Sequence, residues 1–395
     1  MRILVSTIHL GFVGGLESTL AKVIPGLLSR KHEVAILHEW PVDPRKNFLD
    51  FNNSSVEKIC VFNEGVNQAI SRAKKWKPDF IYNQGVSSLV LEKEIVKNWP
   101  AFFYCHASHG TCLSGTKFWK FPRPSLCNRP FGMECLWRYG FNRCGGQNIF
   151  KTINLYRNAR DRLKIAKDYK CVFVASNWMR EVFLQNGLDP QKVSLVPLFP
   201  FGVVPDQIAP KIREQNNLLL YAGRVIGNKG WRHAIEATGI ASDLLKRKMR
   251  LIIAGTGPDA DKVKSCAAKK NVEIDFKGHL SGSDLNLLRR QADLQLVPSL
   301  LGEGFGLVGI EAGCLGLPSA GYPVGGITDW LLPGITGETT SLQDLNSHAL
   351  GAAIHRALGD SEHWQKLRLG AWAKSKEFTL EKHLDLIEGL FNKYN

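Results

Sequence analysis

The sequence predicts an α/β protein of two doubly wound domains, each with a parallel sheet covered by helices. Three observations lead to this prediction. Short apolar runs alternate with longer amphipathic stretches, which is typical of parallel sheets packed between helices. The alternation stops near residue 200 and restarts at residue 218. A chain of 395 residues is also too long for one hydrophobic core.

The first predicted domain covers residues 1–200. It begins with strand Ile3–Ile8 and a helix over about 16–30, whose leucines and valines recur on one side. Further strands are expected at Val34–Leu37, Val56–Val61, Phe80–Tyr82, Phe102–Cys105 and Val172–Ala175, with a helix over 151–168. Residues 107–150 interrupt this alternation and are rich in Gly, Pro, Cys, Arg and aromatic residues. This segment is therefore predicted to be a Cys/Arg-rich insertion.

The second predicted domain covers residues 201–376. A proline-rich connection joins it to the first domain. Its strands are expected at Leu218–Ala222, Leu251–Ala254, Val272–Phe276 and Leu294–Val297, and its helices over 230–247, 258–270 and 283–291. A final helix, within residues 377–395, is expected to pack back on the first domain. Two domains of this kind predict a cleft beyond the carboxyl ends of their strands.

Composition and charge exclude some classes of protein. No apolar run approaches 18 residues, so no membrane-spanning helix is expected, and Met1–Ile8 resembles a strand more than a signal peptide. A cytoplasmic location follows. Residues 1–200 hold 28 basic and 15 acidic residues, whereas 117–180 alone hold 14 and 3. This charge favours an anionic membrane or phosphorylated lipid, with a merely solvated basic face as the alternative. A nucleic-acid partner is not expected, because we find no recognition helix or aromatic sheet surface.

Three glycine-rich stretches are candidates for phosphate binding. Gly14 and Gly15 separate the first strand from the first helix, where two glycines would let a phosphate approach the helix N-terminus. Arg224 and Lys229 follow the first strand of the second half, and two cations suit a diphosphate. The run 302–313 places Glu303 in a strand-to-helix turn and Glu311 within the helix. An ordinary loop, solvated cations and two unrelated glutamates are the respective alternatives.

Taken together, these features resemble the family 4 retaining glycosyltransferases of GT-B architecture, also called glycosyl transferases group 1. The resemblance covers nearly the whole chain and is strongest over 218–340. It rests on Gly14-Gly15-Leu16-Glu17, Gly223-Arg224 with Lys229-Gly230, Ala254-Gly255-Thr256-Gly257-Pro258, Phe276-Lys277-Gly278-His279-Leu280, Glu303-Gly304-Phe305-Gly306 through Glu311-Ala312, and Gly325-Gly326-Ile327-Thr328-Asp329 with Gly334-Ile335-Thr336-Gly337. The expected fold is therefore GT-B, with two Rossmann-like domains facing a central cleft.

The resemblance also implies roles for individual residues. Arg224 and Lys229 would bind the donor diphosphate, Glu303 the transferred sugar and Glu311 the ribose. Gly14 and Gly15 would approach the phosphate or leaving group, Gly278 and His279 would lie near the base, and Phe305, Gly306 and Leu307 would supply backbone amides. His106 matches a histidine beside the reacting sugar, with His109 as the competing candidate and a buried structural histidine as the alternative to both.

The insertion resembles that of a cysteine-bearing subset of this family. Cys112, Cys127, Cys135 and Cys144 could hold a structural zinc, but no C-x2-C pair is present, so reduced or redox-labile thiols are favoured. No metal or other cofactor is expected to be required for the reaction.

The sequence thus predicts a retaining glycosyltransferase that moves a sugar from a nucleotide diphosphate sugar to a glycan or lipid-linked acceptor. We expect it to act in cell-envelope polysaccharide or lipopolysaccharide synthesis, at the inner face of the membrane. The alternatives are a GT-B sugar-nucleotide epimerase, a starch/glycogen-type synthase, a nucleic-acid-binding protein and an inactive binding module. The last of these would be expected to lose Glu303, Arg224 or Lys229, and all three are present.

Overall fold

A computed structural model describes residues 1–11, 15–41, 49 and 56–394. The chain forms two compact units. The first unit contains Met1–Lys117, Asn128–Leu198 and Leu380–Asn395, and the second contains Phe118–Cys127 and Phe199–Thr379. None of the helices within these described ranges is both long enough and apolar enough to cross a bilayer.

The strands and helices follow one another in the alternating order that the sequence predicts. The strands are β1 (Arg2–Thr7), β2 (Glu33–His38), β3 (Glu57–Cys60), β4 (Phe80–Asn83), β5 (Ala101–Cys105), β6 (Phe118–Trp119), β7 (Ser125–Leu126), β8 (Cys171–Val174), β9 (Val193–Leu195), β10 (Leu218–Ala222), β11 (Arg250–Ala254), β12 (Glu273–Gly278), β13 (Leu294–Val297), β14 (Ser319–Gly321) and β15 (Gly337–Thr339). The helices are α1 (Gly15–Ser29), α2 (Val61–Glu64), α3 (Val66–Trp76), α4 (Leu89–Asn98), α5 (Glu134–Phe141), α6 (Ile149–Ala166), α7 (Asn177–Gln185), α8 (Trp231–Leu245), α9 (Val263–Lys269), α10 (Gly282–Gln291), α11 (Leu307–Gly313), α12 (Ser347–Leu358), α13 (Ser361–Ser375) and α14 (Leu380–Tyr394).

Each unit is built on one parallel sheet. The strand order is β3-β2-β1-β4-β5-β8-β9 in the first unit and β12-β11-β10-β13-β14-β15 in the second. In both sheets the first strand of the unit lies centrally, with the chain wound outwards in both directions, which is the order of a doubly wound sheet. Their inner strands are almost wholly buried, as expected for parallel strands covered on both faces, whereas the edge strand β12 has no buried residue. The predicted α/β class is confirmed.

Strands β9, β14 and β15 were not predicted, and two further segments differ from the sequence prediction. The insertion over 107–150 is not wholly irregular, because it contains α5 and a short antiparallel pair of strands, β6 and β7. The helix expected over 258–270 begins only at Val263. The reason is local: the amide of Asp259 donates to the carbonyl of Val225 at 3.1 Å, which ties the start of this segment to a neighbouring loop. A 3-10 turn, Ala260–Lys262, occupies the interval.

The last helix, α14, packs within the first unit. The Phe391 ring lies 4.4 Å from the Phe80 ring and 4.9 Å from the Phe102 ring, centroid to centroid, and all three side chains are buried. Polar contacts also hold α14: Glu388 accepts a hydrogen bond from Arg30 at 2.6 Å and pairs with His32 at 2.7 Å. Burial of aromatic rings on this scale contributes several kcal/mol, so α14 is part of the first unit's core.

Because His383 of α14 is buried, we expect the protein to lose stability in mild acid. Its side chain is 1% exposed, and its Nδ1 donates to the Pro197 carbonyl at 2.8 Å. Burial lowers the pKa of His383 from 6.5 to about 4. Below pH 6.5 the unfolded chain binds a proton that the folded chain excludes, so the free energy of unfolding falls by about 1.4 kcal/mol per pH unit until the folded pKa is reached. Urea unfolding from pH 7 to pH 4 measures this slope.

The variant His383→Gln supplies the comparison for that measurement. Glutamine does not titrate, so its contribution to the slope is absent even if the variant is less stable at pH 7. Since burial also lowers the pKa of His106, to about 3, some acid sensitivity is retained in the variant. A slope that is identical in wild type and variant would contradict the assignment of His383.

Candidate active site

The loops at the carboxyl ends of β10, β11 and β12 are tied together by their backbones. The Gly223 amide donates to the Ala254 carbonyl at 3.0 Å, and the Gly255 amide donates to the Gly278 carbonyl at 2.6 Å. A Cβ atom on Gly255 would lie 1.9 Å from the Gly223 carbonyl oxygen, so only glycine fits there. Gly255, in the stretch Gly255-Thr256-Gly257, therefore allows the loops to pack closely. Gly278 has a φ of 66° and lies at a register shift between β11 and β12.

A cavity of about 320 Å³ opens at these loops, within the second unit. Three residues predicted from the sequence line it: Arg224 after β10, His279 after β12 and Glu311 on α11. Arg224 is exposed, and no described residue pairs with its guanidinium. Because an exposed cation in the lining of a cavity is available to a ligand, Arg224 is well placed for an anionic group.

Glu311 is held in this cavity by an arginine that the sequence analysis did not identify. Nη2 of Arg289, on α10, lies 2.5 Å from Oε2 of Glu311, and Nη1 donates to Oδ1 of Asn286 at 2.9 Å. The side chain of Arg289 is 3% exposed, whereas Glu311 keeps 19% of its side chain open. The ion pair fixes one carboxylate oxygen and leaves the carboxylate accessible to a hydroxyl donor from a ligand.

Lys229 and Glu303 form a second ion pair, between the loops after β10 and β13. Nζ of Lys229 and the hydroxyl of Ser299 both donate to Oε1 of Glu303. The loop that carries Arg224 and Lys229 is itself clamped by Tyr221, whose hydroxyl donates to the Arg224 carbonyl at 3.0 Å. Lys229 and Glu303 thus lie together, although neither is among the residues that line the cavity.

The other predicted donor-site residues are not among those that line the cavity. Gly306 has a φ of 82° and immediately precedes α11, which is why the helix begins at Leu307. The Phe305 ring is buried against Phe378, and its carbonyl accepts a hydrogen bond from Trp330 at 2.7 Å. Of α11, Val308 and Glu311 are the described residues that face the cavity.

The remaining predicted site residues belong to the first unit. Gly14 lies outside the described residues, and Gly15 begins α1. His106 follows β5, and its Nε2 lies 2.8 Å from Oε1 of Gln84, which follows β4. Burial lowers the pKa of His106 to about 3, and the nearby His383 makes a smaller contribution in the same direction. His106 is consequently neutral near pH 7 and acts as a hydrogen-bonding group there.

His109, the competing candidate, is part of a buried polar network. Its Nε2 lies 3.1 Å from Oε1 of Glu92, a fully buried carboxylate. Glu92 also accepts hydrogen bonds from Arg162 at 2.7 Å and from Tyr169 at 3.1 Å. A buried carboxylate requires such partners, so His109 has a structural role in this network.

The four clustered cysteines are not gathered into a metal site. Within residues 1–11, 15–41, 49 and 56–394, no group of three or more His, Cys, Asp or Glu side chains could hold an ion, and no disulfide is formed. The Cys112 sulfur lies 3.3 Å from the Ser114 hydroxyl, and the Cys144 thiol donates to the Arg138 carbonyl at 3.7 Å.

Arg289 could have been found from the helical period. Leu285, Arg289 and Ala292 are spaced by four and three residues, which places a cation on the apolar face of α10. A charged residue in such a position needs a buried partner. Because Arg290 follows it directly, Arg289 resembled one of two ordinary surface arginines. Gln84 and Ser299 carried no pattern in the sequence that distinguishes them.

Comparison with known proteins gives a family match for part of the chain. Residues 206–371 match the family "glycosyl transferases group 1". These residues lie within the second unit. Over 247 residues, 55% of this chain, the sequence is 27% identical to the lipopolysaccharide 1,2-N-acetylglucosaminetransferase of Salmonella typhimurium, and 64% of that protein is covered. The chain thus spans less than two thirds of the length of the curated relatives that it matches first.

Solved structures extend the likeness over the whole chain. Sucrose-phosphate synthase from Thermosynechococcus elongatus has a TM-score of 0.72 at 17% identity, with 99% of this chain and 98% of that chain covered. The Anabaena protein HepE, in complex with UDP and glucose, has a TM-score of 0.69 at 17% identity, with both chains covered completely. At these identities the likeness shows the fold alone, and the fold is the GT-B fold predicted from the sequence.

Proposed function

We propose that this protein is a retaining glycosyltransferase that transfers a sugar from a nucleotide diphosphate sugar to a glycan or lipid-linked acceptor. The observation that carries the proposal is a cavity in the segment that matches glycosyl transferases group 1. There the Arg224 guanidinium, which pairs with no described residue, and the fixed Glu311 carboxylate face the same space. The carboxyl ends of parallel strands are where doubly wound sheets bind nucleotides. Neighbours of this fold include a protein in complex with UDP and glucose.

The groups of the second unit match the parts of such a donor. The accessible carboxylate of Glu311 is suited to the ribose hydroxyls, and the exposed guanidinium of Arg224 to a phosphate. Lys229 would contribute a second positive charge. Glu303, which accepts a hydrogen bond from Lys229 in this structure, would turn towards the sugar hydroxyls. Two cations at one loop can neutralise a diphosphate, and we therefore propose that the reaction does not depend on a metal ion.

The chemical step follows from this arrangement. The bond between the sugar's C1 and the β-phosphate oxygen breaks, and a bond from an acceptor hydroxyl oxygen to C1 forms on the same face. The departing phosphate oxygen takes the acceptor's proton, so charge and atoms balance. Arg224 and Lys229 stabilise the negative charge that develops on the diphosphate. A neutral His106 would hydrogen-bond the reacting sugar and would not act as a general acid, because its lowered pKa leaves it unprotonated near pH 7.

The biological setting is proposed from the relatives and the charge of the chain. The Salmonella relative is named as an enzyme of lipopolysaccharide. Together with 14 basic and 3 acidic residues over 117–180, this supports a role in cell-envelope polysaccharide or lipopolysaccharide synthesis, at the cytoplasmic face of a membrane.

A donor screen tests the proposal. The intact chain is incubated with UDP-, GDP- and ADP-sugars, with and without a metal chelator, and the release of nucleoside diphosphate is measured. One donor is expected to be hydrolysed slowly, and the anomeric configuration of the product by NMR is expected to match that of the donor. Glycogen extension from ADP- or UDP-glucose would favour the synthase alternative. An inverted product, or no hydrolysis of any donor, would contradict the proposal.

A further inference from the structure

Helix α5 carries an exposed apolar stripe. Met133, which precedes the helix, and Trp137 and Phe141 within it are four residues apart, so their side chains lie along one face. More than half of each of these side chains is exposed. The rings of Trp137 and Phe141 lie 5.8 Å apart, centroid to centroid, so the stripe is continuous. Its neighbour Tyr139 is buried, which fixes the opposite side of the helix in the first unit.

The first turns of α6 add a second group of exposed apolar side chains. Ile149, Phe150 and Ile153 are exposed by 66%, 78% and 36%, respectively. The turn is well formed, because the Asn148 side chain accepts a hydrogen bond from the Lys151 amide at 3.0 Å. Helices α5 and α6 pack against each other. Single exposed apolar residues are common, but six large ones on two packed helices mark an interaction surface.

The same segment is strongly basic. Between residues 128 and 157 there are five basic residues and one acidic residue, a net charge of +4: Arg129, Arg138, Arg143, Lys151 and Arg157 against Glu134. Arg129 and Arg138 both bind Glu134, so the only carboxylate is already compensated. The guanidinium of Arg138 also lies 4.3 Å from the centre of a Trp137 ring, which places positive charge at the edge of the apolar stripe.

We propose that these residues form an apolar–basic surface that docks on an anionic lipid bilayer. The apolar–basic surface comprises Met133, Trp137, Phe141, Ile149, Phe150 and Ile153, with the five basic residues of 128–157. Its apolar side chains enter the interface between headgroups and acyl chains, while its arginines and lysine pair with lipid phosphates. Tryptophan and phenylalanine beside basic residues are typical of such interfaces.

The charge of this surface favours a membrane over a second copy of the chain. In a two-fold dimer the same patch meets itself, so two clusters of net charge +4 would face each other. An anionic bilayer instead offers opposite charge together with an apolar layer. The inference deepens the membrane association proposed above and rests on that proposal only for the nature of the acceptor.

Vesicle flotation tests the inference. The intact chain is mixed with vesicles of phosphatidylglycerol and phosphatidylcholine, or of phosphatidylcholine alone, at low and high salt. We expect binding to the anionic vesicles only, weakened by salt. The variant Trp137→Ser/Phe150→Ser should lower partitioning about a hundredfold, because each buried aromatic contributes roughly tenfold in affinity. The matched control is Ile208→Ser/Ile212→Ser, two side chains of the second unit that are at least as exposed and should not alter binding.

A second variant separates charge from apolar contact. Lys151→Gln/Arg157→Gln should weaken vesicle binding and reduce its salt dependence, although the six apolar side chains of the apolar–basic surface are retained. The inference is overturned if wild type stays with the soluble fraction, or if the Trp137→Ser/Phe150→Ser variant floats like wild type. It is also overturned if light scattering shows a dimer that this variant abolishes, since the surface would then contact a second copy.

Binding of nucleoside diphosphates, measured on the same preparations, distinguishes the two proposals. Wild type that binds a nucleotide but no vesicles overturns the docking surface and leaves the transferase proposal standing. Wild type that binds anionic vesicles but no nucleotide overturns the transferase proposal and leaves the docking surface standing.

Discussion

Replacing Arg224 with alanine is expected to lower kcat/KM for sugar transfer by about 10²–10³, because an electrostatic donor aimed at developing charge contributes about that much. Arg224 is the exposed cation of the cavity and is paired with no described residue, so its removal leaves the rest of the second unit undisturbed. The urea midpoint should therefore stay at its wild-type value. The measurement is steady-state kinetics with the donor that the screen identifies.

Two further variants control for loss of charge alone. Arg250 begins β11, at the opposite end of the sheet from the cavity, and is also exposed. Arg250→Ala removes the same charge and should keep wild-type kinetics. Arg224→Lys retains the charge but not the planar fork, so it should recover part of the activity. If Arg224→Ala keeps more than about a tenth of wild-type kcat/KM, Arg224 does not stabilise the leaving group.

The second large effect is expected at Glu311, where binding and stability are coupled. Glu311→Ala removes the partner of a nearly buried guanidinium, Arg289. An uncompensated buried charge is strongly destabilising, and since Glu311 retains access to solvent we expect a loss of about 2–3 kcal/mol. Donor affinity should fall as well, because the carboxylate that faces the ribose is gone. Urea unfolding and calorimetric titration measure the two effects separately.

The double variant Arg289→Met/Glu311→Ala separates these effects. It removes both charges and keeps an apolar side chain of similar length, so stability should return to within about 1 kcal/mol of wild type. Donor affinity should not return. As a matched control, Glu273→Ala breaks an ion pair with Lys248 that is exposed at the surface, and its urea midpoint should not change. A double variant no more stable than Glu311→Ala would contradict the role of Arg289.

Much of the fold was predictable because parallel strands leave a clear pattern. Runs such as Leu218–Ala222 are wholly apolar since both faces of the sheet are covered, and this is visible without a structure. The placement of Glu303 before a helix and of Glu311 within it was also predictable, because a glycine-rich turn separates a strand from a helical period. The late start of α9 was not, as it depends on a hydrogen bond from Asp259 to a loop about 30 residues earlier in the chain.

The candidate site was only partly predictable, since a sequence shows which residue types are present and not which of them share a charge. Arg224 and Lys229 looked equivalent, yet the first is exposed and the second is bound to Glu303. Arg289 looked like surface charge, yet it is buried beneath Glu311. His106 and His109 could not be told apart by pattern, because their difference lies in Glu92, a buried partner of His109 on helix α4.

Calorimetric titration of the intact chain with UDP, GDP and ADP tests the central claim most directly, that the cavity beside Arg224 and Glu311 holds the donor nucleotide. We predict that one of the three binds with a stoichiometry of one, and that this binding is lost in Arg224→Ala and in Arg289→Met/Glu311→Ala but kept in Arg250→Ala. A folded wild-type protein that binds none of the three nucleotides at millimolar concentration, or that binds one equally well in all of these variants, would contradict the account.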